Sequence, residues 1–251
     1  RVCTLVQDVV RSFNAPMRAQ ASPATNPRGR PAAAERPDRK AAILLAAEKL
    51  FAQRGFHAVT IRQIAAEAGV PLALVGYHYG SKQELFHAIF AHWAPTLEER
   101  VARLGEVLAG AQPPALEPIV RAFVEPVLAM RASAEGEFYA RLVGRELAYA
   151  ADETDRVLRE FFDPLAHAFI DALHAAFPRA ARADAAWAYQ FALGALLHHI
   201  SDRRVGRLSK DQNRPNDPAA APRLIAFIAA GIRAAMTLTD SLSPQQTQET
   251  P

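Results

Sequence analysis

The sequence predicts an all-α protein with a small N-terminal three-helix domain followed by a larger helical domain. Alanine and leucine dominate a composition that is 50% hydrophobic, and both residues favour helices. Beta-branched residues are sparse, and no clean alternation of apolar and polar residues extends beyond a few positions, as a strand would require. A chain of 251 residues with this content is long enough to build a substantial core.

Residues 1–37 are rich in Pro, Ala and Arg, have no helical period and are predicted to form a disordered basic extension. Their six arginines, against Asp8 and Glu35, give this segment a net charge of +4, so the rest of the chain carries −1 of the formal net +3. Bulk charge is therefore no evidence that the folded part binds nucleic acid. A basic arm that contacts DNA phosphates is the alternative for this segment. Residues 241–251 are predicted to be a disordered tail.

Order is expected to begin at Asp38, whose carboxylate can cap a first helix over residues 39–54. Gly55 suits the left-handed position that follows a helix. The apolar residues of this helix recur at helical spacing: Ala42, Leu45, Ala46, Leu50 and Phe51.

The next two helices are predicted from a capping box and a tight turn. Thr60 and Gln63 form the box that opens the second helix. Gly69 allows a sharp turn, and Val70 plugs it. Pro71 is expected at the first position of a short third helix that ends near His78 and stops at Gly80. The buried stripe of the second helix comprises Ile61, Ile64, Ala65 and Ala68.

A second capping box, Ser81 to Glu84, opens a fourth helix that is expected to stop at Pro95. Residues 38–85 then form the first domain and residues 86–240 the second. Pro118, Pro126 and Pro164 should start or kink helices. Within the second domain, helices are expected near 96–109, 115–132, 136–150, 154–176, 181–204 and 217–238.

The second and third helices have the residue types of a helix-turn-helix, in which the second helix of the pair lies in the major groove of DNA. A small residue, Ala65 or Ala66, allows the helices to cross closely, Gly69 allows the turn, and Val70 anchors it. This pattern alone is also found in plain packing units, including those of enzymes.

Residues 39–90 resemble the N-terminal DNA-binding region of the tetracycline-repressor-like (TetR/AcrR) family of bacterial regulators. Three motifs carry the resemblance: LFAQRGF at 50–56, the T-x-R-x-I-A-x-x-A-G-V run at 60–70, and Y-H-Y-G-S-K-x-E-L at 77–85. The resemblance implies a cytoplasmic, homodimeric transcriptional regulator that binds double-stranded DNA. It further implies a repressor that a small lipophilic effector releases from a palindromic operator.

The resemblance also implies roles for single residues. Thr60 and Arg62 should meet phosphates at the start of the first motif helix, and the apolar residues 71–74 should face the bases. Contact with thymine methyls and DNA shape would then matter more than hydrogen bonding. Tyr79 is expected in the core, and Gly76 stands where many members carry a phosphate-contacting Tyr. The DNA-contacting set comprises Thr60, Arg62, Pro71, Leu72, Ala73, Leu74, Tyr77, His78, Ser81 and Lys82.

In the second domain the resemblance implies an effector pocket and a dimer interface. Arg141, Arg145 and Glu146 form either a surface charge ladder or a site for an acidic headgroup. Candidate ligand-binding residues, which at helical spacing can equally be plain core, are Trp93, Phe123, Met130, Phe138, Arg141, Phe162, Phe169, Trp187 and Phe191. The dimer is placed on two helix faces, one with Ala186, Phe191, Leu193, Leu197 and Ile200, the other with Leu224, Phe227, Ile228, Gly231 and Ile232.

No cofactor, metal or catalytic site is predicted. The single cysteine, Cys3, cannot build a thiolate site, and His198 with Asp202 lacks a third ligand. No catalytic motif is found, and no apolar run approaches the ~18 residues that cross a bilayer. Two alternatives remain open: a small-molecule-binding helical protein with a purely structural helix-turn-helix, and an enzyme with an appended DNA-binding head.

Overall fold

The structure, a computed structural model, describes residues 38–133, 136–148 and 152–237. Within these ranges the chain forms helices and connecting turns and no strand, so the expected all-α class is confirmed. The predicted N-terminal extension and the C-terminal tail lie outside the described residues.

The first helix, α1 (Arg39–Arg54), has the predicted bounds. Asp38 caps it, because its Oδ1 accepts hydrogen bonds from the backbone N–H groups of Lys40, at 3.0 Å, and Ala41, at 3.3 Å. Gly55 ends it in the left-handed region, with φ 84°. The cap satisfies amide groups that have no partner inside the helix.

The helix-turn-helix consists of α2 (Ile61–Glu67) and α3 (Leu72–Tyr79). The capping box at Thr60 is confirmed: its hydroxyl accepts from the Gln63 N–H, and the Gln63 side chain accepts from the Thr60 N–H. Gly69 makes the turn with φ 65°. Pro71 is the cap of α3 and not its first residue, since its ψ of 139° is extended.

Helix α4 (Lys82–Leu108) is a single helix of 27 residues, so the predicted break at Pro95 is wrong. A proline inside a helix removes one hydrogen bond and crowds the carbonyl four residues earlier, which can bend a helix without ending it. Buried apolar residues before and after Pro95, including Phe90 and Leu97, hold the two segments of α4 along one helix axis. The Thr96 hydroxyl also donates to the Trp93 carbonyl in the turn that contains the proline.

The second domain continues with α5 (Leu116–Ala132), α6 (Gly136–Ala148), α7 (Asp152–Val157) and α8 (Asp163–Ala176). One helix was expected over residues 154–176, but a π-helical turn, Leu158–Phe162, separates α7 from α8. Pro164 explains the interruption, because it has no N–H to bond the carbonyl four residues earlier. The Asp163 N–H accordingly donates to the carbonyl of Leu158, five residues back.

The described residues continue with α9 (Arg182–Ser201), a short α10 (Val205–Leu208), a 3-10 turn (Pro218–Ala220) and α11 (Ala221–Thr237). Helices α9 and α11 pack on each other and leave Trp187, Phe191 and Phe227 more than 60% exposed. By length and composition alone, Pro218–Thr237 could cross a bilayer, which the sequence analysis did not expect. One side of α11 is buried against α5 and α9, so only its outer face is exposed.

The two domains share an extensive contact. Helix α1 packs against α6, and α4 belongs to both domains. Glu48 of α1 is only 2% exposed and accepts a hydrogen bond from Trp93 Nε1 at 2.8 Å. The Trp93 ring stacks on Tyr139 of α6, with centroids 4.9 Å apart and planes 13° apart. The first domain is therefore packed onto the second through a buried polar contact and an aromatic stack.

The cap of α1 predicts the effect of changing Asp38. Asp38→Ala should lower the free energy of unfolding by about 1 kcal/mol, because two amide groups lose their acceptor. Asp38→Asn keeps an acceptor oxygen and should stay within a few tenths of a kcal/mol of the parent. Urea denaturation followed by circular dichroism measures both, and equal losses in the two variants would contradict the capping role.

Candidate nucleic-acid interface and buried cavity

Helix α3 leaves large apolar and aromatic side chains in solvent. Val75 is its one buried residue, whereas the side chains of Leu72 and Tyr77 are 51% and 81% exposed. The helix rests on α2 and α4 and presents its outer face to solvent. A short apolar helix held outward in this way has the geometry of a recognition helix, which must expose side chains to reach base edges.

The N-terminal turn of α3 holds the four residues expected to face the bases. Pro71, Leu72 and Ala73 are exposed, as contact with bases would require. Leu74 is half-buried and packs against the core, so most of its side chain is committed to the fold. The outward-facing apolar set is therefore smaller than the sequence predicts.

The polar residues around α3 differ in how they are held. Arg62 is exposed on α2, while the Thr60 hydroxyl is engaged in the capping box. The Tyr77 ring packs edge to face on His78, with centroids 5.1 Å apart. Tyr79 is half-buried, and its hydroxyl donates to the Lys40 carbonyl at 2.8 Å. Burial raises the pKa of Tyr79 to about 12, with Asp38 adding to the shift, which suits the core position expected from the sequence.

Ser81 and Lys82 begin α4 beside the recognition helix. The Ser81 hydroxyl accepts from the Glu84 N–H at 3.1 Å and so caps the helix. The predicted capping box is only half formed, because the Ser81 N–H donates to the Tyr79 carbonyl and the Glu84 carboxylate pairs with Arg156. Lys82 Nζ lies 4.2 Å from the centre of the Phe56 ring. Phe56 belongs to a buried aromatic cluster with Phe51 and Phe86. This arrangement holds an ammonium group at a helix N-terminus, where an anion is attracted by both.

The second domain encloses a cavity of about 240 Å³. Its walls come from α4, α5, α6, α8, α9 and the π-helical turn. Most of the lining is apolar, and the polar groups are few: Thr96, Arg100, Tyr139, Asp163, Tyr189 and Gln190. An apolar cavity with a small number of convergent polar groups is typical of a small-molecule site.

Only two of the predicted ligand-binding residues line this cavity, Met130 and Phe162. Trp93 stacks on the cavity residue Tyr139, whereas Phe138 is half-buried against the core. Arg141 forms an ion pair at 3.2 Å with Glu137, a residue outside the predicted charge ladder, and Glu146 of that ladder is buried. The remaining four lie elsewhere, with Phe123 and Phe169 stacked against Arg100 and with Trp187 and Phe191 exposed on α9.

The cavity residues Arg100, Tyr139 and Tyr189 were missed by the sequence analysis. A signal for Arg100 does exist, because it falls on the apolar stripe of α4 beside the buried Leu97, Val101 and Leu104. An arginine on a buried stripe indicates a role for its charge, since arginine is rarely buried without a partner.

The structure places the residues of the predicted dimer faces in different environments. Leu193, Leu197 and Ile200 line the cavity and not the outer surface. Ile228 and Ile232 are buried inside the protomer, and Ala186 and Leu224 are partly buried. Phe191, Phe227 and Gly231 do face outward, and Trp187, assigned above to the ligand site, joins them.

The histidines give no further site among the described residues, which contain no group of three His, Cys, Asp or Glu side chains able to hold a metal. His198 Nε2 lies 3.1 Å from Asp202. Hydrogen bonds from Arg204 lower the pKa of Asp202 to about 2, so this carboxylate is already engaged by a neighbouring guanidinium.

Two family models match the chain. One, described as "Bacterial regulatory proteins, tetR family", matches residues 43–89. The other, described as "Tetracyclin repressor-like, C-terminal domain", matches residues 121–231. Together they cover the helix-turn-helix and most of the second domain.

Curated relatives are regulators. The HTH-type transcriptional repressor Rv3405c of Mycobacterium tuberculosis is 39% identical over 102 residues, which are 36% of this chain and 53% of the relative. The HTH-type transcriptional activator FasR of Mycolicibacterium smegmatis is 39% identical over 54 residues, 22% of this chain and 25% of the relative. The chain thus spans about half the length, or less, of the curated relatives it matches.

Solved structures share the fold over most of the chain. A TetR-like transcriptional regulator from Rhodococcus sp. RHA1 has a TM-score of 0.55 at 20% identity and covers 80% of this chain and 97% of its own. Mycobacterium smegmatis AmtR has a TM-score of 0.54 at 18% identity, with 83% and 98% covered. At these identities the likeness concerns the fold alone.

Two glycines of the helix-turn-helix predict opposite effects of the same substitution. A Cβ at either Gly69 or Gly76 would meet no atom within 4 Å, but only Gly69 has a positive φ, of 65°. Gly69→Ala should therefore lower the free energy of unfolding by about 1–2 kcal/mol. Gly76→Ala, inside α3, should raise it by about 0.5–1 kcal/mol. Chemical denaturation tests both, and a loss of stability in Gly76→Ala would contradict this account.

Proposed function

The chain belongs to the TetR family of bacterial transcriptional regulators, and from that premise we propose that it is a homodimeric, DNA-binding repressor. In this proposal it acts in the cytoplasm on a palindromic operator, and a small lipophilic effector in the cavity releases it. No catalytic role is proposed for it.

Exposure of the recognition helix is the observation that carries the proposal. Leu72 and Tyr77 are large side chains that the fold leaves in solvent although apolar burial would stabilise it. A purely structural helix-turn-helix, the alternative function, would have no reason to expose them. Tyr77, His78, Arg62 and Lys82 surround the apolar turn with groups that can contact phosphates.

Two copies are needed to read a palindrome, because each copy supplies one recognition helix. The outer faces of α9 and α11 support a second copy of this chain as the partner. Trp187, Phe191 and Phe227 are 63%, 61% and 69% exposed on these faces. Pairing α9 and α11 of two copies would bury all three in a four-helix bundle.

Repression is the direction we propose, because the mycobacterial relative that aligns over 102 residues is a transcriptional repressor. The cavity supports an effector, because its apolar lining suits a lipophilic molecule. The cavity also borders the domain contact, since Tyr139 lies in its wall and stacks on Trp93.

Selection from a random-sequence DNA library tests the DNA-binding function. The purified chain should enrich a palindromic sequence and retain it over random DNA of the same length, with an affinity that falls as salt rises. No enrichment at any salt concentration would favour the alternative of a helical small-molecule-binding protein whose helix-turn-helix is structural.

Substitutions on the interface should separate phosphate contact from base contact. Lys82→Ala and Tyr77→Phe should weaken binding to selected and random DNA alike, and Lys82→Ala should reduce the salt slope by about 1. Leu72→Ala should alter sequence preference. Fluorescence anisotropy at several salt concentrations measures these effects, and Lys210→Ala, on an exposed loop of the second domain, is the matched control for Lys82→Ala.

Equal losses on selected and random DNA in Leu72→Ala would contradict a base-reading role for α3. An unchanged salt slope in Lys82→Ala would contradict the phosphate contact at the start of α4.

The dimer surface predicts that charge on α9 and α11 separates the copies. The double substitution Trp187→Glu and Phe227→Glu should yield a monomer, because it brings four carboxylates into an apolar interface. The monomer should keep its helical content but lose most of its affinity for the selected palindrome. Light scattering after size exclusion measures the mass. Leu45→Glu, which changes an exposed leucine of α1, is the control expected to remain dimeric.

A further inference from the structure

We propose that the cavity of the second domain takes an amphipathic monocarboxylate, an alkyl or aryl chain that ends in one carboxylate, and that Arg100 binds its charged end. The inference rests on the proposed function, since it names the chemical class of the effector that the cavity would hold.

Arg100 is a buried cation without a counterion in the part of the chain that the structure describes. Its side chain lines the cavity and the residue is 5% exposed. Its Nε and Nη2 atoms are buried and have no hydrogen-bond partner among the described residues. Buried N–H donors that make no hydrogen bond are costly to the folded protein. The site is therefore suited to a ligand that supplies a hydrogen-bond acceptor.

The surroundings of Arg100 hold its guanidinium in place without neutralising it. The group lies 4.6 Å from the Phe123 ring and 5.7 Å from the Phe169 ring. Burial lowers the pKa of Arg100 to about 10, and the groups that oppose this shift are the hydroxyls of Tyr189 and Tyr139. The guanidinium therefore keeps its charge at neutral pH.

Tyr139 supplies a second donor. Its hydroxyl is buried in the cavity wall and also has no hydrogen-bond partner among the described residues. Burial raises the pKa of Tyr139, so its hydroxyl stays protonated and can donate. A planar guanidinium and a phenol that both lack an acceptor match the two oxygens of one carboxylate.

The rest of the cavity limits what can accompany that carboxylate. Its walls beyond the polar groups are aliphatic, including Leu97, Val127, Leu165 and Leu196. The one carboxylate in the lining, Asp163, is exposed and acts on Tyr189 and not on Arg100. A cavity of about 240 Å³ is small for a ligand site, which favours a short chain or a single ring with one charge.

Isothermal titration calorimetry of the full chain with four probes tests the charge requirement. Octanoate and its neutral counterpart 1-octanol test an alkyl chain, and benzoate with benzyl alcohol tests an aryl ring. At least one carboxylate should bind about tenfold to a hundredfold more tightly than its alcohol, the range expected for hydrogen bonds to a charged group. Equal affinities within both pairs, or no binding of either carboxylate, would overturn the proposal.

Substitution at Arg100 tests the residue. Arg100→Met should abolish the preference for the carboxylate and leave the affinity for the alcohol unchanged. Arg121→Met, which removes an exposed arginine on α5 that pairs with Glu125, should keep the preference. Tyr139→Phe should weaken carboxylate binding alone, and it provides the test should Arg100→Met fail to fold. A carboxylate preference that survives in both Arg100→Met and Tyr139→Phe would overturn the assignment.

These titrations contain no DNA, so their failure is distinct from failure of the proposed function. If the chain selects a palindrome but shows no Arg100-dependent preference, the inference alone is wrong. If the preference is found and no DNA is selected, the proposed function alone is wrong. If both hold, the preferred carboxylate should lower operator affinity in the parent, and Arg100→Met should remove that response.

Discussion

The continuity of α4 is the constraint on which the candidate nucleic-acid interface and the cavity both depend. Lys82 is the first residue of this helix, Trp93 lies at the contact between the domains, and Arg100 lies in the cavity. At a rise of about 1.5 Å per residue, Lys82 and Arg100 are separated by about 27 Å of rigid helix. A break at Pro95 would release one region from the other, and buried residues on both sides of the proline prevent it.

The contact between the domains contains a buried polar interaction. Glu48 is buried, and Trp93 Nε1 donates to it, while the Trp93 ring stacks on Tyr139 in the cavity wall. Removing one partner from such a contact is costly, so the packing of α1 against α4 and α6 is specific. The exposed pair Glu84–Arg156 adds little to stability but joins the same two domains. The cavity therefore borders the contact of α1 with α4 and α6.

Apolar residues of the second domain lie in three different environments, but they follow the same pattern in the sequence. Leu193 and Leu197 face the cavity, Ile228 and Ile232 fill the protomer core, and Trp187 and Phe227 face solvent. All lie on α9 or α11 at helical spacing. Periodicity shows that a helix has an apolar side, but α9 is apolar on more than one side, so the period cannot distinguish a cavity from an interface.

The sequence by itself determined the all-α class, the bounds of α1, the capping box at Thr60, the Ser81 cap of α4 and the family, because these depend on local hydrogen bonding and on contiguous motifs. Only the tertiary structure decided that α4 continues through Pro95 and that Leu74 is largely committed to packing. It also brought Arg100 and Tyr139 into one cavity and placed Trp187 outside it. Those outcomes depend on contacts between helices distant in sequence, and local patterns carry no information about such contacts.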